Sequence, residues 1–481
     1  VFEEKWGAWA PDQRNRLNPG ATVAKNVYPA LDSYLPVSSL STSTSALASR
    51  ALGGVTVRDR SNGVYVYVGT KNEIYRITDS PSVSSDGYTT AENDRWEFVT
   101  WGDQVIGTNY SDPAQVSDIG GGGFTPLGGS PPKSKTIAVV KNQVVLGNIN
   151  DTLDGLKPGR IHWSAINDPT GWTPGNSQSD IRDLKGDGGW IKKIVGGEFG
   201  IIFQEHAIWR MTYVGAPVVF QLDKIESSRG TPTGGSVVNH GRMIYFLSKD
   251  GFYILEDGVR SRNISSEICS RFFYADADRS KFDKISAAID PVKNLVFWAY
   301  QRKNSPDDCL NRVLVYNWVT KRWSYLDLCL DMIMSSATFS KTLEELDSYG
   351  TLNDLPASLD SDIWRSDNLS LAGINNKHEF GYFTGPAMTA VLESKEFGSD
   401  DRQIVNMFRS YTEGAGQQTI EVLSRNALNE QPKSSGPVSP NDRGRAHFRS
   451  NARFHRVRET IEGGFTHASG GFVEVIEGGG R

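Results

Sequence analysis

Three features predict an all-β chain, most of it a β-propeller of about five to seven blades. Short β-branched and aromatic segments recur with turn dipeptides between them. The turns heading these segments return at intervals of roughly 40 to 55 residues, the period of propeller blades. Gly and Pro, 49 and 21 of the 481 residues, are spread along the chain as many tight turns require. A single hairpin is marginal in water, and radial stacking of such units buries both faces while leaving only short edges. A pair of β-sandwiches is the competing architecture.

The elements follow in order. Residues 1–50 carry little alternation and read as an extended arm ending in the Ser/Thr tract from Ser41 to Ser45. Residues 51–336 hold the blades. Turns at Gly102-Asp103, Lys141-Asn142, Gly197-Glu198, His240-Gly241 and Val292-Lys293 each precede an apolar strand (VVLGNI, IIFQEH, MIYFLS and LVFWAY from the second onward) and then an aromatic one (IHWSAI, IWRMTYV, GFYIL, VLVYNWV). One helix is expected in NISSEICSRFFYADADRSKF, capped by Ser265 or Ser266 and packing between blades. Residues 337–385 are acidic and loop-like, a stretch that could complete the propeller. Residues 386–481 alternate strands with Gly-rich turns and predict a C-terminal β-sandwich-like domain.

Composition narrows the functions. A 38% hydrophobic content with 12 Trp, 17 Tyr and 21 Phe excludes disorder as the main state, and a net charge of −5 gives no global case for wrapping nucleic acid. Any polyanion contact is local. Cys269, Cys309 and Cys329 are too few and too scattered for a disulfide framework and are expected to be reduced thiols. No signal peptide or membrane span is expected, which implies synthesis in a cytoplasm without membrane insertion. The seven His show no metal spacing, and nucleotide, dinucleotide and nucleophile-elbow motifs are missing, so no metal, cofactor or catalytic residue is assigned. The strongest charge feature is DRGRAHFRSNARFHRVRE, with Arg443, Arg445, Arg449, Arg453, Arg456 and Arg458. Guanidinium groups contact phosphates without regard to base sequence, so the stretch is a candidate nucleic-acid channel lining; a solvated strand face or a set of intersubunit salt bridges is the plainer reading. The Trp residues are expected in blade cores.

Several segments, in order, resemble the tail hub proteins of short-tailed bacteriophages, also called nozzle or packaged-DNA stabilisation proteins. They are NVYP (Asn26 to Pro29) and Tyr34 to Pro36 in the arm, IHWSAINDPTGWTPG (Ile161 to Gly175) and GIIFQEHAIWRMTYVG (Gly200 to Gly215). RVLVYNWVTKRWSYL (Arg312 to Leu326) and FRSNARFHRVRETIEGGFTHASG (Phe448 to Gly470) complete the series. The resemblance implies a non-enzymatic virion protein made in the bacterial host. It would form a hexamer below the portal-adaptor ring, carry a tail needle or plug and tail spikes or fibres, and touch genomic DNA in passing. The arm, with Trp6, Trp9, Tyr28 and Tyr34, would dock onto a neighbouring subunit or the adaptor. The alternative is a propeller glycoside hydrolase or glycan-binding protein acting on bacterial surface polysaccharide; SSDGYTT (Ser84 to Thr90) loosely resembles a sialidase Asp box, and a hydrolase needs a carboxylate pair.

Overall fold

Seven four-stranded antiparallel units surround one axis in the computed structural model, which describes all residues except 15–17, 79, 153, 339–368 and 478–481. Blade 1 comprises Gly53–Arg58, Val64–Gly69, Glu73–Ile77 and Ser82–Asp86, and blade 2 Glu97–Trp101, Gln104–Thr108, Gln115–Asp118 and Thr125–Pro126. Blade 3 comprises Lys133–Val140, Gln143–Asp151, Gly155–Trp163 and Asp180–Asp183, and blade 4 Ile191–Val195, Gly200–Gln204, Ile208–Gly215 and Val219–Glu226. Blade 5 comprises Val238–His240, Met243–Ser248, Gly251–Glu256 and Arg260–Asn263, and blade 6 Ser286–Asp290, Leu295–Tyr300, Arg312–Asn317 and Arg322–Leu326. Blade 7 takes Leu330–Ala337, Leu369–Asn375 and Phe380–Tyr382, and its outermost strand, Ser41–Thr42, comes from the arm. Six blades are separate sheets, whereas blade 6 supplies four strands of a 14-stranded sheet completed by strands of the arm and the C-terminal region. Most of the expected acidic segment lies outside the described residues.

The burial pattern explains the propeller. Strands Gly200–Gln204, Leu295–Tyr300 and Arg312–Asn317 are buried throughout, because blades pack on both faces of a middle strand and no polar alternation is needed. The outer strands Asp180–Asp183 and Arg260–Asn263 are short, charged and half-exposed, which blunts the blade edges. Blades 5 and 6 meet through Phe252, Trp298 and Trp323, with ring centroids 4.6 Å apart for Phe252–Trp298 and 5.7 Å for Trp298–Trp323. The helix Ser270–Asp276 inserts Phe273 into this cluster, 4.9 Å from both Phe252 and Tyr300.

Two sequence expectations are corrected here. The turn before the helix is held by Asn263, whose Oδ1 accepts from the backbone N–H of Ser265 and Ser266; the Ser265 hydroxyl instead accepts from the N–H of Phe252. Cys309 and Cys329 form a disulfide, and of the three cysteines only Cys269 is a free, buried thiol. Twenty residues separate the pair in sequence, but reciprocal backbone hydrogen bonds between Leu310 and Leu330 bring the two segments together.

The arm is the third correction. Trp6, Trp9, Tyr28 and Tyr34, expected to face a neighbour, are 1%, 1%, 5% and 0% exposed within this chain. Strand Phe2–Lys5 pairs with His467–Glu477, and Val23–Lys25 lies between Ala390–Glu393 and the last strand of blade 6. The Arg322 guanidinium fixes the path by donating to the carbonyls of Trp6, Ala30 and Leu31 at 2.8 to 3.1 Å. An apolar arm of this kind buries its aromatics on the nearest concave surface, which its own chain supplies.

Two buried carboxyls, Glu4 in the first arm strand and Glu459 in the C-terminal sheet, couple this docking to pH. Burial pushes Glu4 up to about 7 against the opposing effect of Lys395, and burial likewise pushes Glu459 up to about 7 although Ser410 and Thr412 donate to it. Both groups bind protons more tightly folded than unfolded. Their stabilisation is therefore complete below about pH 4.5 and is lost as pH rises to about 7, by at most about 3 kcal/mol each. The expected result is that Glu459→Gln gains stability relative to the parent as pH rises from 5 to 7.5, read from denaturation midpoints. A parent-minus-variant difference that is flat with pH would contradict this.

Candidate functional site

The arginine-rich stretch forms the strand Arg445–Glu462, preceded by Arg443 in a turn. Its burial alternates strictly through Phe454, so that Ala446, Phe448, Ser450, Ala452 and Phe454 face the core. Arg445, Arg449 and Arg453 consequently stand on the exposed face, with His447 and Asn451 between them. At about 3.3 Å per residue the three arginines span about 26 Å. Arg409, from strand Phe397–Glu413, lies opposite Arg445 and is also exposed. Among the described residues, no carboxylate lies within ion-pair distance of Arg409, Arg443, Arg445, Arg449 or Arg453. Like charges directly opposite on a ladder cost stability, as Arg409 and Arg445 do here.

The other two arginines have a structural task. Arg456 and Arg458 converge on Glu393, whose side chain is 2% exposed; Arg458 Nη2 lies 2.8 Å from Oε2 and Arg456 pairs with Oε1. The Thr22 hydroxyl from the arm donates to the same Oε1 at 3.0 Å. Arg458 also reaches Glu421 at 3.4 Å. The stretch expected to be one channel lining is therefore divided. Its first half is a free cationic face, and its end is a buried ion-pair junction between arm and C-terminal sheet.

The strand with the row has an unusual edge. Along one side it pairs with Ala390–Glu393 and Phe397–Glu413 in succession. On the other, Gln417–Arg425 pairs only with Phe454 to Glu462. From Arg445 to Arg453 that edge carries no strand among the described residues, and at its start the Asn441 turn bonds both backbone groups of Arg445.

The propeller axis has different chemistry. Its cavity, about 590 Å³, is lined by first-strand residues of all seven blades, among them Val55, Val99, Val139, Val195, Ile289 and Ser335. The lysine lining it, Lys193, is paired with buried Glu97 at 2.8 Å, and Arg95 at its adjoining end donates to the Ile285 carbonyl, so among the described residues the axis carries two cations, both engaged, and no row of them. Buried His162 and His455 are both held below the usual histidine range, by burial first. Among the described residues, the one grouping with metal-ligand spacing is Asp307, Cys309 and Cys329, whose sulfurs are bonded to each other. No helix among them is long and apolar enough to cross a membrane.

What sequence reasoning missed is the division at Glu393. No local signal marks it, because Arg443 and Arg445 share the Arg-x-Arg spacing of Arg456 and Arg458 and the acid lies far away in sequence.

No protein-family model matches the chain, and no curated protein does. Solved structures similar to it include two of an extracellular domain from B. thetaiotaomicron, each at 10% identity. Their TM-scores are 0.40 and 0.41, with 84% and 85% of this chain and 47% of that chain covered. A component of the type-IX secretion system of Porphyromonas gingivalis, PorZ, matches at 9% identity and a TM-score of 0.35, covering 84% of this chain and 48% of its own. A chain of the mitotic checkpoint complex matches at 8% identity and a TM-score of 0.40, covering 74% and 96%. The chain spans about half the length of the two extracellular-domain structures it matches.

Proposed function

We propose that the chain is a structural virion protein of a tail hub or nozzle, which assembles as a ring below the portal and adaptor, retains packaged DNA and conducts it during ejection. The observation carrying this reading is the exposed row of Arg445, Arg449 and Arg453, without carboxylate partners in a chain of net charge −5. A cationic row of about 26 Å matches a polyanion with regularly spaced charges, and contacts of this kind are independent of base sequence. The axis of a single propeller offers no such surface, so in this reading the conduit forms between copies that present the row inward. Head-to-tail interfaces that close produce rings of this type. The ordered resemblance to tail hubs supports the same reading, and a propeller tied to the C-terminal sheet by its own arm suits a load-bearing wall. The test is the solution mass of the chain alone and with a cognate portal-adaptor complex. The expected result is a ring of six copies seated on the complex; a monomer that ignores the complex would overturn the proposal.

A further inference from the structure

A second polar concavity, distant in sequence from the arginine row, lies at one end of blades 3, 4 and 5. Its volume is about 370 Å³, at the lower end of small-ligand sites, and its lining includes Lys141, Glu198, Phe199, Arg210, Arg242 and Asp257. The turns following the first strands of the three blades supply Lys141, Glu198 and Arg242; the hydrogen bond from Lys141 N–H to the Gly197 carbonyl, 2.9 Å, fixes two of these turns together. Arg242 lies 3.6 Å from Asp257. Among the described residues, neither Lys141 nor Arg210 has a carboxylate within ion-pair distance.

Arg210 is preorganised. Its guanidinium sits 4.4 Å from the centre of the Phe199 ring, and its Nε is sealed from solvent without an acceptor. Phe199 is in turn packed on Gly258, where a Cβ would come within 2.7 Å of the ring and where φ is +63°, so both space and backbone favour glycine. A stacked guanidinium loses little freedom when it binds and presents a fork suited to a carboxylate.

The rest of the lining restricts the ligand. Arg210 covers a face of Phe199, which disfavours stacking of a nucleobase there. Glu198 and Asp257 repel a doubly charged phosphate but accept hydrogen bonds from hydroxyl groups, and exposed Val259 provides an apolar contact. We infer that this concavity binds a carboxylate-bearing sugar, such as a uronic acid unit of an acidic polysaccharide, with Arg210 and Lys141 on the carboxylate and Glu198 and Asp257 on ring hydroxyls. The site uses one chain and none of the arginine row, so it stands or falls independently of the hub reading.

The experiment titrates the full chain with trigalacturonic acid, a neutral galactose trisaccharide and inorganic phosphate at constant ionic strength. Saturable binding of the uronate, at least about tenfold tighter than either other probe, is expected. Arg210→Gln should weaken it about tenfold or more, given that charge-assisted bonds contribute about 1.5–3 kcal/mol. Exposed Lys141→Gln, which leaves the core untouched, should weaken it less, and the triple replacement Arg445→Ala, Arg449→Ala, Arg453→Ala should leave it unchanged. Equal binding of neutral and acidic sugars, phosphate binding as tight as uronate, or full uronate affinity in both the Arg210 and Lys141 variants would overturn the assignment.

Discussion

Glu393→Ala is expected to cost about 3 kcal/mol of folding stability, because it strands the largely buried Arg456 guanidinium and the Thr22 hydroxyl around a site built for a carboxylate, while the more exposed Arg458 keeps Glu421. The position joins three parts of the molecule. Its strand pairs with the arm through Val23↔Glu393 and with the long C-terminal strand through Glu393↔Arg458, while its side chain takes up Arg456, Arg458 and Thr22. Surface ion pairs are worth little, but this one has a carboxylate only 2% exposed, and removing it leaves the largely buried Arg456 without a charge partner. Glu393→Gln keeps an acceptor for Thr22 and should cost less. Replacing Glu393, Arg456 and Arg458 together by Met removes the stranded charges and should recover much of the loss. Chemical denaturation of the four proteins checks this. A Glu393→Ala loss below about 1 kcal/mol, or a triple variant no better than the single one, would show that the junction is not under electrostatic stress.

Replacement of Arg445, Arg449 and Arg453 by Ala is expected to weaken binding to duplex DNA about 100-fold near physiological salt without loss of folding stability. Three phosphate contacts correspond to a decrease of about 2.7 in the slope of log affinity against log salt. Stability should hold because all three side chains are exposed and because Arg445 faces Arg409 across the ladder, a like-charge pair whose removal relieves repulsion. Replacing Arg456 and Arg458 gives the opposite profile, with stability lost through Glu393. An unchanged salt slope in the triple variant would assign the row to edge protection, since charged edges also deter strand addition.

The propeller was readable in the sequence where burial is two-sided. The turns at Gly102-Asp103, Lys141-Asn142 and Gly197-Glu198 do join the first and second strands of blades 2, 3 and 4, and the aromatic segments are third strands. The fourth strands escaped notice because outer edges are short and polar, as in Arg260–Asn263. That Ser41–Thr42 completes blade 7 carries no local signature, because two residues pairing with Gly381 and Tyr382 depend wholly on tertiary placement. The same limit governs the site. Alternation identifies Arg445, Arg449 and Arg453 as one face once the strand is known, whereas the capture of Arg456 and Arg458 by Glu393 is a contact across more than sixty residues. The disulfide was missed for a related reason, since the Leu310–Leu330 bridge that brings Cys309 to Cys329 joins an irregular segment to the first residue of strand Leu330–Ala337, a contact that no local pattern marks.

Particle imaging of the chain assembled on a portal-adaptor complex tests the central claim most directly. The account predicts a closed ring in which the strand from Arg445 to Arg453 lines the lumen and the propeller axes lie outside the DNA path. A ring that turns this strand outward, or no ring at all, would contradict it.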